Sequence, residues 1–251
     1  MQKLRFITCS GANEFTNVAD LVALSEKFPM IEWGVQVSGK KYAFGSPRYR
    51  WVHCLDQYLR QGGKTLNLAL HINSDWVDKF TTGDMPTEVL ELLAKRDINK
   101  NPLFSRVQLN FKIGRDKEPD FELLMRRLRI YGVDRRFVLS YNKENKEFIH
   151  RLYSCGLREF DVLYDSSHGE GVSAKEWQAP AFFDEGILQG YAGGLSPDNV
   201  ADELMAIRKV LPYDRSFYID AEGRLKGDDR HLSLEKCEQY VVNALAAMCK
   251  I

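Results

Sequence analysis

A thiol and a carboxyl stand at the C-terminal ends of two apolar runs, Cys9 in ITCSG and Asp165 in LYDSS. A thiolate can take a proton and a carboxylic acid can give one, so the pair suits general acid–base work if both face one cavity. The competing readings are a packed thiol at Cys9 and a loop-bonding carboxylate at Asp165. In GSPRYR, Arg48 follows Pro47 at the start of a helix, where its guanidinium can grip a carboxylate with two parallel hydrogen bonds or pair with a surface acid. In YAGGLSPDN, Gly193 and Gly194 let backbone amides approach a ligand, and Ser196 and Pro197 open a helix, which together make an anion cradle. His71, Asn110 and the loop residue His168 are further polar candidates at strand exits, with Asp220, Glu222 and Gly223 after the last apolar run.

Other chemistries lack their signatures. There is no GxGxxG after the first strand, no P-loop and no GxSxG elbow. No His or acid residues fall at metal-ligand spacing, so neither metal nor cofactor is assigned. The five cysteines include no CxxC pair, which fits reduced thiols and a cytoplasmic location. Lys plus Arg and Asp plus Glu each total 35, so no global field draws a polyanion. The short apolar run at the N-terminus is neither an h-region nor a membrane span. The expected partner is a small-molecule substrate, with no nucleic acid and no membrane, for a monomer or homodimer.

What must position these side chains is a repeated strand–helix unit. Eight runs read as strands: 4–9, 31–37, 66–72, 106–112, 136–141, 159–164, 187–192 and 216–220. Amphipathic stretches such as FELLMRRLRIYG and NVADELMAIRKVL lie between them. In 251 residues without a linker, this order predicts one α/β domain over 1–251, a (β/α)8 TIM barrel with a closed parallel sheet and outer helices. A doubly wound open sheet is the alternative. In a barrel, function gathers where strands end.

The segments ITCSG, SPRYR, RVQLN, LYDSSHGEGVSAKEW, AGGLSPDNV and IDAEG occur in this order. Together the series resembles the phosphoribosylanthranilate isomerase family, (β/α)8 enzymes that turn an aldosylamine into an aminoketose by an Amadori rearrangement. The resemblance implies Asp165 as the acid that opens the sugar ring and Cys9 as the base at the neighbouring carbon. It implies Arg48 on the substrate carboxylate and the amides of Gly193 and Gly194 on a phosphate. Three departures stand out: Ser10 separates Cys9 from Gly11, His168-Gly169-Glu170-Gly171 replaces a Gly-Gly-Thr-Gly loop, and Ala221-Glu222 replaces two serines. A carboxylate about 4 Å from a phosphate repels it by roughly 4 kcal/mol per unit charge at an effective dielectric near 20. Either Glu222 points away or is neutralised by Lys226, Arg224 or Arg230 nearby, or the ligand there carries no phosphate; the expectation is a sugar isomerase whose substrate need not carry a phosphate. The alternative is a divergent or inactive barrel that binds a small carboxylated or sugar-like ligand.

Overall fold

The structure, a computed structural model, describes residues 2–114, 117–165 and 176–249. Eight strands pair in parallel and in chain order, and the last returns to the first to close a barrel. They are β1 (Lys3–Ala12), β2 (Ile31–Val37), β3 (Asn67–Ile72), β4 (Arg106–Leu109), β5 (Arg136–Ser140), β6 (Phe160–Asp165), β7 (Gln189–Ala192) and β8 (Ser216–Ala221). The helices are α1 (Val18–Lys27), α2 (Pro47–Gly62), α3 (Asp75–Thr82), α4 (Thr87–Ala94), α5 (Phe121–Tyr131), α6 (Lys146–Ser154), α7 (Val200–Val210) and α8 (Leu234–Cys249). Closure leaves no sheet edge to protect, which excludes the open-sheet alternative.

Local chemistry sets most boundaries. Asn17 caps α1, Asp120 caps α5, and Ser46 caps α2 ahead of Pro47 at its first turn. The helix after β7 starts at Val200, later than the Ser-Pro signal suggests. Ser196 and Asn199 bond reciprocally there, each side chain accepting from the other's backbone N–H, and turn the chain before the helix begins. The stretch TTGDMPTEVLELLAK, which has loop-like composition at its start, carries α4, whose Val89, Leu92 and Leu93 are buried against the barrel.

The core divides in two. Between strands and helices lies a continuous apolar layer. Inside the barrel the apolar cluster is small, centred on Val138, Leu163, Ala192 and Tyr218. Polar side chains take the remaining space. Arg106, buried to 3% exposure, bonds Glu32 at 2.8 Å and stacks on the Tyr218 ring at 3.9 Å. Glu32 also accepts from the Thr8 hydroxyl at 2.8 Å. Gly190 makes room for this arrangement, since a Cβ there would lie 2.1 Å from the Tyr218 ring.

Candidate functional site

The alternation within β2 explains which side chains reach the cavity. Ile31, Trp33, Val35 and Val37 are buried in the helix-facing layer, while Glu32, Gly34 and Gln36 take the opposite parity and face the barrel interior. Parallel pairing carries that parity to β1, where Cys9 is the partner of Trp33 and Ser10 the partner of Gly34. Cys9 therefore faces the helices. It is fully buried, and burial followed by its contact with the Cys237 thiol of α8 pushes its own thiol well above the ordinary range. This corrects the expectation of a catalytic thiol, because Cys9 is sealed beneath α8 and the residue presented to the cavity is Ser10.

The cavity has a volume of about 480 Å3 and opens at the C-terminal ends of the strands. At its centre Ser10 Oγ donates to Asp220 Oδ1 at 2.7 Å. Burial lifts the Asp220 carboxyl to about 7; the Ser10 hydrogen bond opposes the rise, while the charges of Glu222, Glu32 and Asp165 add to it. Asp165, at the end of β6, lines the same cavity. Asp165 and Asp220 thus share one space, the latter poised between its charged and neutral forms near neutral pH.

His71 reaches the cavity from β3 and is 2% exposed. Burial lowers its imidazole to about 4, with Glu222 opposing and Arg106 assisting, so the ring is neutral at physiological pH. Its tip occupies the space left by Gly34: a Cβ on that glycine would lie 2.8 Å from His71 Cε1, 2.9 Å from Nε2 and 2.5 Å from Ser10 Oγ. Beside it runs a row of carboxamides, in which Gln108 donates to Asn110 at 2.7 Å and Asn110 donates to Asn73 at 2.6 Å.

Glu222 and Gly223 also line the cavity. Glu222 is bridged by Lys226 at 2.9 Å and keeps 39% of its side chain exposed. Burial alone would raise its carboxyl; the Lys226 bond and charge, with help from Gln36, outweigh that and hold it below the ordinary value. Gly193 and Gly194 line the wall at φ values of +115° and +65°, the left-handed region that favours glycine. Arg48 does not join them. It is buried in an ion pair with Glu14 and donates to the Gln36 carbonyl at 2.6 Å, so the guanidinium expected to grip a substrate carboxylate is held by the protein itself. His168 lies outside the described residues.

Of the residues expected at the site, Asp165, His71, Asn110, Gly193, Gly194, Asp220, Glu222 and Gly223 lie together on one cavity, and Cys9 and Arg48 lie apart from it. Ser10 and Asn73, also at strand exits, and Lys226 lie on the lining as well, while Gln36, Gln108 and Lys112 were not singled out in the sequence. The signal for Gln36 was available: in IEWGVQV the apolar residues hold one parity, so the polar ones mark the inside. No group of three or more His, Cys, Asp or Glu residues could hold a metal ion among the described residues. No helix among them is long and apolar enough to cross a membrane.

No protein-family model and no curated protein matches the chain. Solved structures do. Phosphoribosylanthranilate isomerase from Thermotoga maritima aligns at a TM-score of 0.53 and 16% identity, covering 97% of this chain and 100% of that one. The enzyme of the same name from Thermus thermophilus gives 0.56 and 15%, covering 97% and 99%. A glycoside hydrolase family 30 xylanase from Clostridium acetobutylicum reaches 0.54 at 10% identity, covering 96% of this chain and 71% of that one. Such identities establish a shared barrel fold, with phosphoribosylanthranilate isomerases prominent among the neighbours, and leave the reaction to the side chains of the cavity.

Proposed function

We propose that this barrel is a sugar-isomerase-type enzyme that moves protons within a small hydroxylated substrate of the aldosylamine class, with Asp220 as base and Asp165 as acid. The observation that carries the reading is Asp220, a buried carboxyl raised to about 7 and oriented by Ser10 in a cavity that also holds Asp165. A base with that affinity is stronger than an ordinary carboxylate, and it takes the place of the thiol that the family resemblance implies. In the reaction, Asp165 protonates the ring oxygen as the nitrogen lone pair forms C=N and the C1–O bond breaks. Asp220 then removes the C2 proton, and the C–H electrons flow towards the iminium nitrogen to give an enolamine. Ketonisation of that enolamine yields the aminoketose, so no redox partner is needed.

Two further features shape the substrate. The row of Gln108, Asn110 and Asn73 offers donors and acceptors suited to vicinal hydroxyls. Glu222, held below its ordinary value beside Gly223, favours a hydroxyl or amine over a phosphate at that end of the cavity. Arg48, committed to Glu14, argues against a substrate anchored through a carboxylate.

The test is hydrogen exchange. Purified protein is incubated in D2O with N-phenyl-D-ribosylamine and a panel of related N-substituted aldosylamines. Proton NMR then follows loss of the C2–H signal and growth of aminoketose. Asp220→Asn and Asp165→Asn should each abolish exchange, and Cys9→Ala should retain it. Exchange that survives Asp220→Asn at the wild-type rate overturns the assignment.

A further inference from the structure

We propose that His71 is a further catalytic residue of this cavity, a neutral imidazole whose Nε2–H hydrogen-bonds the substrate oxygen on which charge develops as the neighbouring proton is removed; this rests on the isomerase reading given above. Three observations converge on it. First, Nε2 is buried and has no hydrogen-bond partner among the described residues, although the residue lines the cavity. Buried polar atoms are nearly always paired, so an orphan on a cavity wall marks the place of a ligand atom. Second, the polar side chains beside it are already engaged with one another, Gln108 with Asn110 and Asn110 with Asn73. The unpaired Nε2 is therefore set apart from its neighbours by its surroundings as well as by its chemistry.

Third, the site is built to admit the ring. Gly34 stands in the middle of a strand, where a glycine has no side chain to pack and costs conformational entropy. The space it leaves is filled from two sides by the tip of His71 and by Ser10 Oγ, the group that holds Asp220. The His71 ring and the hydroxyl that orients the proton-accepting carboxyl thereby border the same small space beside Gly34. The charged groups acting on the ring are Glu222 at the exit of β8 and Arg106 within β4, with opposite effects. A neutral imidazole is the useful form here, since it can stabilise a developing oxyanion without drawing the proton affinity of Asp220 down.

The experiment uses the full chain, N-phenyl-D-ribosylamine as probe and two substitutions. His71→Leu removes the donor, and should lower kcat for C2–H exchange by about a hundredfold or more while changing KM by less than tenfold. His71→Gln keeps an N–H near the Nε2 position and should restore kcat to within about tenfold of wild type. The limb near pH 7 of the kcat/KM profile belongs to Asp220 and should persist in His71→Gln. Independently of turnover, the His71 Cε1 signal in 13C-edited NMR should show no titration between pH 5.5 and 8, and it should shift when the probe is added. If both His71 variants exchange at the wild-type rate while Asp220→Asn is inactive, the role of His71 is overturned and the isomerase reading stands. If Asp220→Asn is itself active, the isomerase reading falls. Should His71→Leu fail to fold, a wild-type His71 signal that titrates above pH 6 overturns the assignment by itself.

Discussion

Asp220→Asn makes the site's electrostatics measurable without a substrate. In the folded chain the carboxyl binds its proton until about pH 7, against an ordinary value of 3.8. Between those values the folded state holds the proton more tightly than the unfolded chain does. The stability contributed by Asp220 is thus fully present below about pH 4, lost as pH rises towards 7, and constant above that. The separation corresponds to about 4 kcal/mol, and because the residue is only 7% exposed, solvent screening removes little of it. Asparagine has nearly the same shape and does not ionise. The two proteins should be of similar stability at pH 4, and the variant should gain steadily to an advantage of up to about 4 kcal/mol at pH 8. For a chain of 251 residues this is a rise in melting temperature of about 10 °C. Urea unfolding followed by tryptophan fluorescence at intervals of half a pH unit measures the difference, and other titrating groups cancel in it. A difference that is flat from pH 4 to 8, or one that favours the wild type as pH rises, refutes the argument from burial. The gain in stability should accompany loss of exchange activity, as expected where a destabilised group does chemistry.

His71 has the opposite sign: its folded value near 4 lies below the ordinary 6.5, so its contribution is present above pH 6.5 and is lost as pH falls towards 4, and His71→Gln should therefore be more acid-stable than the wild type in urea melts at pH 4.5. Cys54, Cys155 and Cys249 should react with an aromatic disulfide reagent in the native protein, and Cys9 and Cys237 only after unfolding; rapid reaction of all five contradicts the burial of Cys9. Glu222→Ser should tighten binding of inorganic phosphate by about tenfold at pH 7.5, the repulsion being discounted for the exposure of Glu222, and an unchanged Kd in titration calorimetry would show that Glu222 does not face the anion. Arg106→Met leaves the Glu32 charge buried without its cation and should cost about 3–5 kcal/mol in urea unfolding; a loss under 1 kcal/mol would show that water reaches Glu32.

The barrel was legible in the chain because its signals are local. Eight β-rich runs separated by amphipathic stretches predict the strands to within a few residues at most boundaries, with β1 reaching on to Ala12 and β4 stopping at Leu109. Strand exits likewise pointed to Asp165, His71, Asp220 and Glu222, since in a parallel barrel every exit faces the same end. Parity within one strand was also present in IEWGVQV, yet β1 reads Phe6-Ile7-Thr8-Cys9-Ser10 and gives no comparable contrast. Its pairing with β2 is what turns Cys9 towards α8 and Ser10 towards the cavity.

The properties on which the chemistry depends arise between residues far apart in the chain. Ser10 and Asp220 meet only because β8 closes on β1, across a separation of 210 positions, and that closure both buries the carboxyl and supplies its hydrogen bond. Arg48 is committed by Glu14, a loop acid that no spacing rule singles out. The sequence by itself determined the order of elements, which residue types could transfer protons and which end of the barrel would hold them. Only the tertiary structure decided which of those groups share a cavity and what their proton affinities are, because desolvation and Coulomb interaction depend on distance in space and not on distance along the chain.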